Sequence, residues 1–251
     1  MSDTESSSKD TGSSCTEANK RKCSTSREVA SKNKKTELPT FSDGKSLVTF
    51  IVGPDPNPTE FLIHKEIICH YSEVLATAFN SAFKEGQTQT YRVEDTTERA
   101  FRLLMQWLYS QKLTLIQLQP DYCFDEAEGA ETELEDSEDM SLVEVWVIAD
   151  KFGIPSLQNA ALQAIQTIFE MSYSLIPSHT FHYVFDNTSE VSPLRDYMVA
   201  TCVQYAMPAH LDNEFKGDFP RGLLLELSRI FLKGSEHCEP EELDVSKFFV
   251  Q

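Results

Sequence analysis

The sequence predicts an α+β fold: a small three-stranded sheet flanked by helices, followed by a helical extension. Three observations predict it. Leu47-Val48-Thr49-Phe50-Ile51-Val52 is a continuous β-branched and aromatic run, which is strand composition. Two more short strand-like runs stand at Glu60–Ile63 and Thr90–Val93, with segments of helical period between and after them. From Leu142 onward the apolar residues recur at three- and four-residue spacing, so the remainder reads as helices.

Residues 1–40 are Ser, Thr, Lys and Glu with almost no apolar side chains. They cannot bury enough surface to offset their ordering entropy and read as a disordered tail. The first strand, Leu47–Val52, reads as buried on both faces, and Gly53 with the Pro-spaced run Pro54–Pro58 turns the chain back into a hairpin. His64–His70 reads as a short helix, and Ser72 as the cap of the next. That next helix sets Val74, Leu75, Ala78, Phe79, Ala82 and Phe83 along one face and ends near Gly86. After the third strand, Asp95 with Glu98 fits a capping box. Phe101, Leu104, Trp107 and Leu108 form the apolar stripe of the helix that follows.

Leu113–Leu118 is strand-like. From Asp121 to Asp139 there are ten acidic and no basic residues, which reads as a solvated loop because charges that dense repel. Helical periodicity resumes with Leu142, Val145, Trp146 and Ala149, breaks at Gly153-Ile154-Pro155, and continues through Leu157, Ala161, Ala164, Ile165 and Ile168. Further helices are expected near Ser178–Phe185, Pro193–Tyr205 and Arg221–Leu232, the last stopping at Gly234. The resulting organisation is a tail over 1–40, a domain over 41–169 with an acidic loop inserted at about 119–140, a helical extension over 170–235, and a second tail over 236–251.

Charge narrows the function. The chain carries a formal −18. Residues 1–40 hold 8 Lys+Arg against 6 Asp+Glu, which leaves 14 against 34 for the rest. A body that acidic repels nucleic-acid phosphate and anionic membrane, so neither is expected as a partner. The first twenty residues lack an apolar core of the secretory kind, and no apolar run approaches the roughly 18 residues that span a bilayer. The six cysteines are scattered without a CxxC pair. Reduced thiols and an intracellular location, nucleus or cytoplasm, are the expectation.

No arrangement of residues supplies chemistry for catalysis. Cys69-His70 would be a nucleophile and base only if they faced each other, and adjacent helical residues do not. His179 and His182 share a helix face, but two ligands do not complete a four-ligand zinc site. Gly44-Lys45-Ser46 resembles the end of a phosphate loop, yet the leading glycine is replaced by Pro39. The expectation is a non-enzyme without metal or cofactor. The basic residues Lys20, Arg21, Lys22, Lys32, Lys34 and Lys35 fit a bipartite nuclear-import pattern.

One combination of residues is specific. Val52-Gly53 closes the first strand, Phe61 and His64-Lys65 lead into the first helix, and Ser72 follows His70. Phe79, Phe83 and Glu85 come next, then Phe101 with Trp107-Leu108-Tyr109, Ala149-Asp150-Lys151, and Ile154-Pro155-Ser156-Leu157-Gln158-Asn159. This series resembles a BTB/POZ domain of the branch abundant in filamentous fungi. The later stretch around Thr188 and Ser192-Pro193-Leu194-Arg195 resembles the extension of many fungal members. Leu47 stands where many animal members open the strand with an Asp of the dimer pocket.

The resemblance implies protein partners, a possible homodimer, and for some members a cullin. Phe83-Lys84-Glu85 lies where cullin-binding members carry a hydrophobic-x-Glu motif. By that analogy Phe83 would fill a pocket on the cullin and the Glu85 carboxylate would fix the loop that presents it. The alternative is that Phe83 simply continues the core face begun by Phe79, since spacing does not separate core from interface. Two functions follow: a substrate-recruiting adaptor of a cullin ubiquitin ligase, or an oligomerisation or nuclear scaffold without a cullin.

Overall fold

The computed structural model describes residues 39–124, 130–172, 177–205, 219–232 and 243–251. The tail with its basic residues Lys20, Arg21, Lys22, Lys32, Lys34 and Lys35 lies outside the described residues, as does Gly234. Three strands, β1 (Leu47–Val52), β2 (Thr59–His64) and β3 (Thr90–Val93), form one sheet in the order β2-β1-β3. β1 and β2 are an antiparallel hairpin pairing Phe50 with Phe61, while β1 and β3 run parallel and pair Phe50 with Tyr91. A parallel pair needs a crossover. Three short helices supply it: α1 (Lys65–Tyr71), α2 (Glu73–Asn80) and α3 (Lys84–Thr88).

The sheet is buried on one side only. Val48, Phe50 and Val52 are buried, whereas Leu47 is exposed and Thr49 and Ile51 are half-buried. The expectation of a strand covered on both faces is therefore corrected. In β2, Phe61 and Ile63 point in and Leu62 points out at 56 % exposure. On the covered side Phe50 meets the rings of Phe79, Phe101 and Phe152 at centroid distances of 5.7, 5.2 and 6.1 Å. Such ring pairs each add about 0.5–1.5 kcal/mol beyond the area they bury.

Ser72 caps α2 as expected. Its Oγ accepts from Leu75 N at 3.0 Å and donates to the Phe152 carbonyl at 2.6 Å, tying α2 to the second half of the chain. The helix ends at Asn80, and Gly86 does not terminate it but lies inside α3. The cap of α4 (Glu98–Ser110) is Thr97, whose Oγ1 accepts from Ala100 N; Asp95 instead pairs with Lys151 Nζ at 2.8 Å. With the helix starting at Glu98, that residue stands too early to close a capping box on Asp95. The expected stripe, Phe101, Leu104, Trp107 and Leu108, is buried.

The acidic run departs most from expectation. Leu113–Leu118 forms no strand, and α5 (Ala130–Phe152) begins inside the acidic segment. Several of its carboxylates have partners. Glu138 is buried and accepts from the backbone N–H groups of Ile116 and Gln117 at 2.9–3.1 Å, with the Arg99 guanidinium 3.4 Å away. Arg99 also donates to Ser137 Oγ. Tyr122 donates to Glu135 at 2.6 Å, and Gln117 Nε2 to Asp139 at 3.1 Å. Hydrogen bonds from the 116–122 connection, with the Arg99 guanidinium, hold carboxylates in the second and third turns of a helix that sequence charge alone argued against. Burial and neighbouring acidic groups push the Asp139 carboxyl up to about 6, opposed by Gln117 and His179.

α6 (Pro155–Met171) packs on α5 and carries Leu157, Ala161, Ala164, Ile165 and Ile168 inward. α7 (Phe181–Asn187) and α8 (Pro193–Tyr205) follow, joined by a buried Arg195. Its guanidinium donates to the carbonyls of Phe185 and Thr188 and lies 4.8 Å from the Phe185 ring centroid. α9 (Arg221–Leu232) leans on α8. Residues 243–251, expected within a tail, pack on the domain: Leu243, Val245, Phe248, Phe249 and Val250 are half-buried against the core. Apolar side chains closed this segment down where the polar residues around 236–242 gave no such signal.

Candidate functional site

Phe83 and Glu85 sit on the connection between α2 and β3. Phe79, four residues before Phe83, is 1 % exposed; Phe83 is 74 % exposed. The two do not share a face because α2 ends at Asn80 and the chain turns at Ser81 before α3 begins. Of the two readings of Phe83, continuation of the core is thus overturned. The ring projects from the residue that opens α3.

The turn that carries it is held from several sides. Ser81 Oγ donates to the Ala78 carbonyl at 2.8 Å and accepts from Phe83 N at 3.2 Å. Gln87 donates its amide N–H to the Phe83 carbonyl at 3.0 Å and its side chain to the Ala82 carbonyl at 2.7 Å. Gln89 Nε2 donates to the carbonyls of Phe79 and Gly86, and Lys65 Nζ reaches the Phe79 carbonyl at 2.9 Å. Gln89 itself stands in the left-handed region, at φ +51°, which costs a non-glycine residue about 1 kcal/mol or more. A Cβ on Gly86 would lie 2.0 Å from the Ser81 carbonyl oxygen. The glycine is there because the two backbones touch.

Glu85 occupies the first turn of α3 and is half-buried. Side chains of Ser81, Gln87 and Gln89 fasten this turn. No signal in the sequence separated those three from ordinary surface polar residues; only their partners, all within ten positions, give them the role. The arrangement can present one aromatic ring and one carboxylate from a fixed backbone. It carries no nucleophile–base pair.

The other residues singled out by sequence have structural partners. His64 ends β2, with Nδ1 2.8 Å from the Tyr109 hydroxyl and the Phe41 ring edge-on at 5.2 Å. Cys69 is half-buried, and burial raises its thiol above the ordinary range. The His70 ring packs edge-on against Tyr71, with centroids 4.6 Å apart. His179 faces Asp136 at 3.5 Å. Among the described residues no three His, Cys, Asp or Glu side chains form a metal-binding group, and no helix is long and apolar enough to cross a membrane.

The sequence model of the BTB/POZ domain family matches residues 45–128, about a third of the chain. No curated protein matches the chain. The matched segment is the one that builds the three-stranded sheet, the helical crossover and α4. The strand–strand–helices–strand–helix order and the family match agree, and the chain carries a BTB/POZ domain, a protein-interaction fold, over residues 45–128.

Proposed function

We propose that this chain is a substrate-recruiting adaptor of a cullin ubiquitin ligase, and that Phe83-Lys84-Glu85 is its docking element. The observation that carries the reading is a 74 % exposed phenylalanine on a turn fastened by side chains and a glycine contact. An aromatic ring left in water on a rigid backbone is an anchor already in its bound shape, so binding it costs little ordering entropy. The test is capture of a cullin from extract by wild type, Glu85→Ala and Phe83→Ala. Phe83→Ala is expected to weaken capture by about 2 kcal/mol or more, and Glu85→Ala to weaken it as well. Wild type that captures no cullin, or variants that capture it equally, would overturn the reading.

A second reading has its own observation. Leu47 and Leu62 lie exposed on the open face of the sheet, where Leu62 is paired with Thr49 and Leu47 with His64. Apolar side chains grouped on one open face suit a second copy of the chain, and this favours an oligomerisation scaffold. A dimer in sedimentation that Leu62→Lys dissociates, together with no cullin in the capture, is the result that selects it. Under either reading the basic residues Lys20–Lys22 and Lys32–Lys35 would serve nuclear entry.

A further inference from the structure

A second surface is already occupied by the chain itself. Segment 243–251 lies against α6 and α8. Asn159, on α6, reads its backbone with both ends of one side-chain amide. Nδ2 donates to the Val250 carbonyl at 2.8 Å, and Oδ1 accepts from Val250 N at 2.7 Å. This is the pattern one strand offers another, delivered by a side chain. It depends on the ligand's backbone and not on the identity of its residue.

Specificity comes from a ring. Phe248 meets the Tyr197 ring edge-on, with centroids 5.7 Å apart. Tyr197 is a rigid platform: it is buried, and its hydroxyl donates at 2.8 Å to Gln166, whose own amide is held by Glu170 at 2.6 Å. The peptide enters through a turn of its own making. Asp244 accepts from Ser246 N at 3.0 Å and from Ser246 Oγ at 2.6 Å, and opens the one-turn helix that brings Phe248 to the platform.

The segment is held in a way that permits exchange. Among the described residues its backbone bonds are local turns and the Asn159 pair. Its apolar residues are half-buried, not enclosed. Elements with few buried contacts open at low free-energy cost. We propose that the α6–α8 surface is a peptide-binding site whose resident occupant is the chain's own segment 243–251, and which takes in its place a partner protein's peptide bearing an aromatic residue two positions before the residue whose backbone Asn159 reads. This site is separate from the Phe83 turn and stands whether or not a cullin binds there.

The test uses the full chain and a fluorescent peptide of residues 243–251. Cis occupancy lowers apparent affinity by the fraction of open sites. Phe248→Ala in the chain, which weakens the resident and leaves the site intact, is expected to tighten peptide binding about tenfold or more over wild type. Adding Asn159→Ala to that variant is expected to abolish the gain. In the unmutated, isotope-labelled chain, excess unlabelled peptide is expected to accelerate hydrogen exchange across the chain's own 245–250. Equal binding by wild type and Phe248→Ala, indifference to Asn159→Ala, or no acceleration of exchange overturns the proposal. A dimer present in wild type and absent in Phe248→Ala would make a second copy the occupant and also overturn it.

Discussion

Phe79 and Phe83 stand four residues apart and serve opposite ends. Phe79 is enclosed by Phe50 and Tyr91, and its carbonyl accepts from Lys65 and Gln89. Phe79→Ala is expected to cost about 3–5 kcal/mol, the loss for a buried phenylalanine. Phe83→Ala removes a ring already in water, and its melting temperature is expected to stay within about 1–2 °C of wild type, the range of a neutral surface change. Paired thermal melts measure both, and a large loss on Phe83→Ala would return that ring to the core. Gly86→Ala tests the turn itself. A methyl 2.0 Å from the Ser81 oxygen forces α2 and α3 apart, at about 1–3 kcal/mol for an overpacked contact. Because the Phe83 turn is what moves, this variant is expected to lose partner binding along with stability.

At the scale of elements, the amino-terminal turns of α5 are the region where charge and fold compete. Around Asp139 stand Gln117 from the connection, Glu135 and Asp136 on the same helix, and His179 from the turn that precedes α7. A carboxyl raised to about 6 holds its proton more tightly in the folded chain than in the unfolded one. Its contribution to stability is therefore present below the unfolded value near 4, falls as pH rises to about 6, and is flat above. Asp139→Asn is expected to stabilise the protein at pH 7 by on the order of 1–2 kcal/mol, or roughly 2–4 °C per kcal/mol at this size. The gain should vanish near pH 4. Melts across that range measure it, and a pH-independent difference would mean that the carboxyl titrates normally. Glu138 is a different case in the same turn: it holds the Ile116 and Gln117 amides, so it anchors the connection to the helix.

For the whole molecule, one continuous core runs from β1 through α6 and on to α8 and Leu227. The sequence of residues 1–38 has no apolar periodicity, and near the start of the described domain the Glu66 carboxylate accepts from the amides of Thr40, Phe41 and Ser42. A chain starting at Pro39 is expected to melt within about 2–4 °C of full length, a difference of no more than about 1 kcal/mol, and a fluorescent fusion of it to lose nuclear concentration. A large stability loss would show that the tail packs, and unchanged nuclear signal would remove its import role. What the sequence by itself determined is the three strands of the sheet, the helices around them other than α3 and the start of α5, the Ser72 cap, the stripe of α4 and the inward face of α6. Composition and period act within a few residues and need no partner to be read. The tertiary structure decided the rest: that one face of β1 stays open, that Phe83 leaves the core, that an acidic run becomes helix, and that segment 243–251 folds back onto Asn159. Each of these depends on groups far apart in the chain, such as Glu138 meeting Ile116 or Val250 meeting Asn159, and a local pattern carries no record of what a residue will meet.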